Sequence, residues 1–406
     1  RAEEGRRHLA RPGRAQAGVM TVTCASVRIE GYRSIQDTTL ELSEDVTLLI
    51  GANGSGKSNI IGALELLGRV IDNRFDEHLI RQGGLRAQLH SSARGDDAQS
   101  VRLEVRSRPQ ASAKHSGAMF VNGYDVTLTA DDEGTTLLRE GVSLHNIDEY
   151  EFPKRYPRPL ARRSVLREEA EQPGPMRPVD HIVALVSGVR VFHVDDTGPA
   201  APALQRVDIA DDMSVHDDGS NVAAVLLRLK NHDAARYERI VRAVRVVAPF
   251  FEDFVLEPQD GFVQLRWRQY GLDRVFHGRF LSSGTLRFIS LAVVLLQDRR
   301  PGVIVLDEPE LGLHPAAIAQ AAQLMRVAAR EAQIVAATQS TALLNHFAVD
   351  NIVVVDRQEG QTTAGRPDVK QLEVFLDDYT TGEMWEMSLL GAGPRPDHVV
   401  SSGATA

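Results

Sequence analysis

The feature that most constrains the fold of this 406-residue chain is the octapeptide GANGSGKS at residues 51–58. It matches the phosphate-loop pattern G-x-x-x-x-G-K-[ST] and stands between a strand pattern at 46–50 and a helical pattern at 57–71. Glycines let backbone N–H groups curl around phosphate oxygens, and the helix N-terminus adds favourable partial charge. The residues expected to bind the phosphates of a nucleotide are Asn53, Gly54, Ser55, Gly56, Lys57 and Ser58. Lys57 is expected to reach the β- and γ-phosphates, and Ser58 to offer its hydroxyl to Mg²⁺.

A second motif is an aliphatic run, residues 303–306, that ends in two adjacent carboxylates, Asp307 and Glu308. The run predicts a buried strand, and in open α/β sheets ligands bind at the C-terminal ends of the strands. Asp307 is expected to hold Mg²⁺ through water, and Glu308 to act as the general base that polarises the attacking water. Alone, this pattern is equally typical of a strand capped by a charged turn; the phosphate loop favours the nucleotide site.

A third motif, LSSGT at residues 281–285, opens a helical pattern at 284–297 just before the acidic strand. A Ser-x-Gly turn at a helix N-terminus can bind an anion through its backbone N–H groups. The alternative is an ordinary helix cap made by Ser282 or Ser283. The order of the three motifs favours the anion site.

These motifs, with GYRSI at 31–35 and DEPELGLHP at 307–315, resemble the RecF/SMC-like branch of the ABC-type ATPases. The chain looks most like stand-alone predicted bacterial AAA-family ATPases, related to overcoming-lysogenization-family ATPase heads but lacking the nuclease domain. The resemblance extends from the N-terminus to about residue 90 and from about residue 250 to 390. It implies an α/β P-loop NTPase with an ABC-ATPase head: a mixed sheet with helices on both faces, an antiparallel β-subdomain and a helical or irregular insertion lobe.

The resemblance also implies a site shared by two copies of the chain. Ser282 and Gly284 are expected to contact the γ-phosphate held by Lys57 of another copy, which makes ATP binding the trigger of a homodimer. The cofactors it implies are ATP and Mg²⁺. DNA and a separately encoded effector protein are the further partners expected, whereas no membrane partner is expected.

Three weaker positions complete the expected site. Gln82 stands roughly where the family's Q-loop touches Mg²⁺ and the attacking water, although a surface-loop glutamine fits the same pattern. Gln339 occupies the place where many ABC proteins have a switch histidine; glutamine can hydrogen-bond a γ-phosphate but cannot carry a proton, so slow hydrolysis is expected. Arg33 follows the first strand, where related heads use a basic residue near phosphate or DNA; a solvated arginine is the alternative.

The patterns along the chain predict five segments. Residues 1–19 are expected to be a disordered leader and 391–406 a disordered tail. The two halves of the head are expected at 20–140 and 251–390, with the insertion lobe at 141–250. Within the first half, Asn122-Gly123 predicts the turn of a hairpin. The stretch 150–178, rich in Pro, Arg and Glu, indicates a mobile loop or an insertion, and its pattern assigns it no helix or strand.

Composition narrows the class of protein further. The formal net charge of −9 argues against a surface that coats nucleic acid non-specifically, although a local basic stripe remains compatible with it. The single cysteine, Cys24, excludes a disulfide framework within the chain, which favours the cytoplasm. No apolar run approaches the ~20 residues that span a bilayer.

The function expected from the sequence is ATP binding and hydrolysis by an ABC-type head that dimerises on ATP and switches a DNA-repair or anti-phage-type complex. One alternative is a nucleotide-sensing scaffold that binds ATP with little turnover and regulates a separate effector protein. A P-loop kinase or a ring-forming AAA+ motor is a second alternative, but those classes lack an LSxG motif before the acidic strand.

Overall fold

The computed structural model describes residues 22–72, 75–91, 95, 97–111, 117–172 and 178–391. The strands are β1 (Cys24–Tyr32), β2 (Ile35–Glu41), β3 (Val46–Ile50), β4 (Ser100–Ser107), β5 (Gln110–Ala111), β6 (Met119–Ala130), β7 (Thr136–Asn146), β8 (Lys154–Pro157), β9 (Val189–Phe192), β10 (Val207–Asp208), β11 (Phe251–Phe254), β12 (Phe262–Val263), β13 (Arg266–Gln269), β14 (Val275–His277), β15 (Val303–Asp307), β16 (Gln333–Thr338), β17 (Ile352–Gln358) and β18 (Gln361–Gly365). The helices are α1 (Lys57–Arg69), α2 (Phe75–Arg81), α3 (Val165–Glu171), α4 (Pro178–Ser187), α5 (Val222–His232), α6 (Ala234–Val247), α7 (Ser283–Leu296), α8 (Pro315–Ala328), α9 (Thr341–Leu344), α10 (Val369–Leu376) and α11 (Thr381–Glu386).

The centre of the fold is a six-stranded sheet with the strand order β18-β17-β3-β16-β15-β9. Strands β17, β3, β16, β15 and β9 run parallel to one another, and β18 is antiparallel to β17. Both faces of the sheet are covered: in β3, Leu48 and Ile50 belong to one hydrophobic core and Leu49 to the other. Burial on both faces explains why these strands are continuous apolar runs in the sequence.

A second, antiparallel sheet has the order β2-β1-β4-β6-β7-β8, with β5 beside β6. Helix α1 joins the two sheets, because Ile60 and Leu64 share a core with Leu103 of β4 and Val305 of β15. On the opposite face of the central sheet, α7 packs with α6 and α8. No helix of the described part of the chain is long and apolar enough to cross a membrane.

The expected fold class is confirmed: a mixed sheet with helices on both faces and an antiparallel β-subdomain. The helices predicted at 57–71 and 284–297 are α1 and α7. The leader expected at 1–19 and residues 392–406 of the tail expected at 391–406 lie outside the described residues.

The hairpin turn predicted at Asn122-Gly123 is wrong, because β6 runs straight through it. Gly123 pairs with Arg106 of β4 and with Ser143 of β7, and a Cβ on it would lie 2.3 Å from Ser143 Oγ. The glycine therefore permits close side-chain approach within the sheet. The turn lies instead after Ala130, where Thr135 N donates to Asp131 Oδ1 at 2.7 Å.

Two strands, β7 and β9, do not follow the expected division of the chain into head and insertion lobe. The boundary between residues 140 and 141 falls inside β7, whose pairing with β6 continues across it. The stretch expected as an insertion also supplies β9 to the central sheet, because β9 satisfies the edge of β15 with parallel hydrogen bonds. The predicted loop at 150–178 contains β8 and α3, and its residues 173–177 lie outside the described residues.

Candidate functional site

Residues 51–56 of the octapeptide form the turn between β3 and α1, and Lys57 and Ser58 begin the helix. Gly54 and Gly56 have φ values of 79° and 108°, in the left-handed region that favours glycine. The ammonium of Lys57 folds back over the loop and donates to the carbonyls of Gly51 at 2.7 Å and Ala52 at 3.1 Å. The loop therefore surrounds a positive charge with backbone groups at the N-terminus of a helix, an arrangement that attracts phosphate.

Side chains from distant parts of the chain support this turn. Thr362 of β18 donates to the carbonyl of Ser55 at 2.9 Å and lies 2.7 Å from the hydroxyl of Ser34. Asn59 of α1 donates to that same Ser34 hydroxyl at 2.6 Å. Within the described residues, Ser55 Oγ is buried and has no hydrogen-bond partner. An orphaned hydroxyl in such a loop fits a site that binds phosphate oxygens.

Beside the loop lies a cavity of about 240 Å³ at the C-terminal edge of the central sheet. Ser58 lines it from α1, and Asp307 and Glu308 line it from the end of β15. Burial, and then the charge of Glu308, raises the pKa of Asp307, while the nearby positive charge of Lys57 opposes the rise. Burial lowers the pKa of Lys57, and both carboxylates oppose that change. The predicted lysine and acidic pair therefore form one electrostatic unit.

Mg²⁺ is commonly bound by one or two protein oxygens together with substrate phosphates and water. Ser58 Oγ and the Asp307 carboxylate supply oxygens of this kind to the same cavity. No group of three or more His, Cys, Asp or Glu that could hold a metal ion was found in the described ranges. The residues present thus fit a magnesium ion bound together with a triphosphate.

Glu308 and Gln339 meet beside the phosphate loop. The amide of Gln339 donates to Asn53 Oδ1 at 2.6 Å and lies 3.4 Å from Glu308 Oε1. Glu308 has a φ of 44°, and its N–H donates to the carbonyl of Ala337 on β16 at 2.9 Å. A positive φ strains the backbone of a glutamate. Such strain persists only where the surrounding structure enforces it, and it is common at functional sites.

The LSSGT turn begins α7. Ser282 accepts a hydrogen bond from Thr285 N at 3.1 Å, so it is the helix cap, and its side chain is exposed. A Cβ on Gly284 would lie 2.7 Å from the carbonyl of Gly312, so the turn packs against the loop after β15. Of the described residues, those that line the Asp307 cavity include neither Ser282 nor Gly284. The turn is accessible to another molecule and separate from this chain's own cavity.

Arg33 and Gln82 are brought together, but away from the carboxylates. Arg33 donates to Gln88 Oε1 at 2.8 Å and to Gln82 Oε1 at 3.1 Å. It lies beside α1 one turn beyond Ser58, with Nη1 3.5 Å from where a Cβ of Gly62 would stand. Gln82 is exposed and, among the described residues, is not one that lines the Asp307 cavity.

Sequence reasoning missed two residues near the cavity, His193 after β9 and Glu65 on α1. Their side chains approach to 3.5 Å, and His193 lines the cavity with Asp307. The interaction with Glu65 raises the pKa of His193 against the opposing effect of burial. The available signal was the short stretch Val-Arg-Val-Phe at 189–192 followed by a polar residue, but four residues are too few to separate strand from helix.

Residues 46–345 match the protein family described as "AAA domain, putative AbiEii toxin, Type IV TA system". The DNA replication and repair protein RecF of Parasynechococcus marenigrum (strain WH8102) is 36% identical over 100 residues, which are 24% of this chain and 27% of that protein. The chain thus spans about a quarter of the length of such relatives.

Solved structures of Smc heads share the fold. The Smc head bound to the C-winged helix domain of ScpA has a TM-score of 0.56 and 16% identity, covering 84% of this chain and 97% of that one. The Pyrococcus furiosus Smc head with an extended coiled coil, bound to the C-terminal domain of ScpA, has a TM-score of 0.54 and 14% identity, covering 88% and 99%. The chain's similarities to RecF and to Smc heads are those of a RecF/SMC-like ABC-type ATPase. Because the family match spans more than half of its length, the chain belongs to this AAA-domain family.

Proposed function

We propose that this chain binds ATP with Mg²⁺ at the 51–58 loop and hydrolyses it, and that bound ATP joins two copies of the chain. The observation that carries the proposal is the convergence of Lys57, Asp307, Glu308 and Gln339 at one edge of the sheet. These side chains follow three different strands, β3, β15 and β16. Membership of an AAA-domain family and similarity to RecF support nucleotide use in general.

Each side chain has a task that follows from its chemistry. Lys57 exchanges its two carbonyl partners for phosphate oxygens, and the glycine turn presents backbone N–H groups to the same anion. Ser58 and Asp307 hold Mg²⁺, which supplies charge neutralisation to the phosphates. Glu308 accepts a proton from the attacking water, and Gln339 holds Glu308 beside Asn53.

The second copy completes the site. The exposed Ser282 turn does not line the cavity of its own chain, as far as the described residues show. In the dimer it binds the terminal phosphate of the ATP held by the other copy. The relatives named DNA replication and repair proteins support DNA as a partner, and the family description supports a separately encoded effector protein. In this proposal the dimer acts as an ATP-dependent switch in a repair or anti-phage complex.

Three variants test the proposal. Lys57→Ala abolishes binding of a fluorescent ATP analogue, because the loop loses its charge. Glu308→Gln binds ATP but releases no phosphate, so it remains an ATP-bound dimer. Light scattering detects that dimer by its molar mass. Ser282→Arg binds ATP as a monomer and hydrolyses it poorly.

The matched control for Ser282→Arg is Thr39→Arg, which adds the same charge at an exposed position of β2. It dimerises and turns over like the wild type. Unchanged ATP binding by Lys57→Ala removes the nucleotide site, and normal dimerisation by Ser282→Arg removes the shared site.

A nucleotide-sensing scaffold is the second candidate, and the identity of Gln339 favours it. An amide cannot carry a proton, so this edge of the site holds Glu308 without assisting proton transfer. Steady-state phosphate release separates the two candidates. A scaffold dimerises on ATP but releases phosphate no faster in the wild type than in Glu308→Gln.

A further inference from the structure

His193 emerges at the same sheet edge as the acidic pair. Strands β9 and β15 are parallel, and Phe192 lies opposite Leu306 in the register. The next residues along the two strands, His193 and Asp307, therefore lie side by side at the C-terminal end of the sheet. Both line the Asp307 cavity, which Ser58 also lines. An imidazole thus stands on the far side of the carboxylates from the phosphate loop.

Glu65 holds this imidazole from α1. Its Oε2 lies 3.5 Å from His193 Nε2, and its Oε1 accepts from Arg69 Nε at 3.0 Å. The Glu65 side chain is only 12% exposed, so few other orientations are open to it. The same helix carries Ser58 two turns earlier, which makes Glu65 part of the scaffold of the phosphate site.

The backbone of His193 is fixed as well. Its N–H donates to the carbonyl of Asp217 at 2.6 Å, and the Asp217 carboxylate accepts from Arg69 at 2.6 Å. Since Nε2 faces Glu65, Nδ1 is the ring nitrogen left for the cavity. The His193 side chain is 47% exposed, so a ligand in the cavity can reach it.

We propose that His193 contacts the terminal phosphate of bound ATP and that Glu65 is the positioning residue that orients it. The inference rests on the proposed function and deepens it. It assigns to His193 the recognition of the third phosphate, the group that distinguishes ATP from ADP. Gln82, which was expected to contact the attacking water, is instead bound by Arg33 and is not among the described residues that line this cavity.

The test measures affinity rather than turnover. Dissociation constants for ATP and ADP, each with Mg²⁺, are determined by calorimetry in a Glu308→Gln background, so that ATP is not consumed. His193→Ala is expected to weaken ATP binding about tenfold, the effect of losing one strong contact, and to leave ADP binding within about twofold. Glu65→Gln is expected to shift the ATP constant in the same direction by a smaller factor.

Two further variants separate contact from structure. His193→Gln keeps a hydrogen-bonding group and is expected to restore ATP affinity to within about threefold of the parent. His216→Ala is the matched control, because His216 also pairs with a carboxylate, that of Asp211 at 3.0 Å, and is 46% exposed. It changes neither constant.

The inference is overturned if His193→Ala leaves both constants unchanged, or weakens ATP and ADP equally. It is also overturned if His193→Gln binds ATP as weakly as His193→Ala. The proposed function fails by a different result: ATP binding that survives Lys57→Ala, or hydrolysis that Glu308→Gln leaves unchanged. If the protein binds ATP without hydrolysing it, the two dissociation constants still test the role of His193.

Discussion

The hydroxyl of Thr362 donates a hydrogen bond of 2.9 Å to the main-chain carbonyl of Ser55, although 307 residues separate the two. Thr362 is 1% exposed and stands on β18, the antiparallel edge strand of the central sheet. Its side chain fills the space beside Gly56. The shape of the phosphate loop therefore depends on the β17–β18 hairpin, which lies about 300 residues further along the sequence.

Removing this hydrogen bond should weaken both the fold and the nucleotide site. Thr362→Val keeps the volume but leaves the Ser55 carbonyl without its donor, which typically costs about 1–3 kcal/mol. Urea unfolding measures the loss, and titration with a fluorescent ATP analogue should show a several-fold weaker affinity. Thr363→Val, at a less buried neighbour, is the control and should change the free energy of unfolding by less than about 0.5 kcal/mol. Equal effects of the two variants would contradict the role of Thr362.

The two left-handed glycines of the loop should differ in their tolerance of alanine. Gly54 has open space around its Cβ position, so Gly54→Ala carries only the cost of a positive φ, about 1–2 kcal/mol. A Cβ on Gly56 would lie 2.0 Å from Thr362 Oγ1, so Gly56→Ala adds an overpacking cost of about 1–3 kcal/mol. Thermal unfolding without nucleotide ranks the variants. Adding Thr362→Ala should recover part of the Gly56→Ala loss; a double variant no better than additive would refute the clash.

The single cysteine should be inert in the folded protein. Cys24 is fully buried in β1, and burial raises the pKa of its thiol to about 12. Because the thiolate is the reactive form, alkylation near pH 8 should proceed only when the chain unfolds. Reaction with a chromogenic disulfide reagent, with and without urea, measures this difference. A thiol that reacts rapidly in native protein would contradict the burial of β1.

The free energy of unfolding should fall at acidic pH because Glu65 becomes protonated. Burial raises the pKa of this carboxyl, but the contacts with His193, His78 and Arg69 outweigh it and lower the pKa from 4.5 to about 2. A carboxyl whose pKa is lower in the folded state stabilises the fold above its unfolded value, and this contribution is lost as the pH falls from about 4.5 to 2. Glu65→Gln should therefore be less stable than wild type at pH 7, by up to roughly 3 kcal/mol, and nearly equal to it at pH 2.

Urea unfolding at several pH values measures the difference between the two proteins. Glu373→Gln, at an exposed position of α10, is the control and should change the free energy of unfolding by less than about 0.5 kcal/mol. A Glu65→Gln deficit of constant size from pH 7 to pH 2 would show that the charge of Glu65 does not stabilise the fold.

Sequence patterns predicted the elements whose signals are local. The phosphate loop, the helix after it and the buried strand before Asp307 each combine a run of apolar residues with a diagnostic turn or charge. Asn122-Gly123 shows the limit of such signals. The same dipeptide suits a tight turn or a crowded place in a sheet, and only the pairing of β6 with β4 and β7 decides between them.

By itself, the sequence determined that a phosphate loop, an acidic strand and a Ser-x-Gly turn occur in the order of an ABC-type head, because each is encoded within a few consecutive residues. Only the tertiary structure decided which side chains share the cavity. It brought His193 to Asp307, kept Gln82 with Arg33, and set Thr362 against Ser55. These contacts depend on strand order and register across hundreds of residues, and a run as short as β9 carries too little periodicity to predict its place in the sheet.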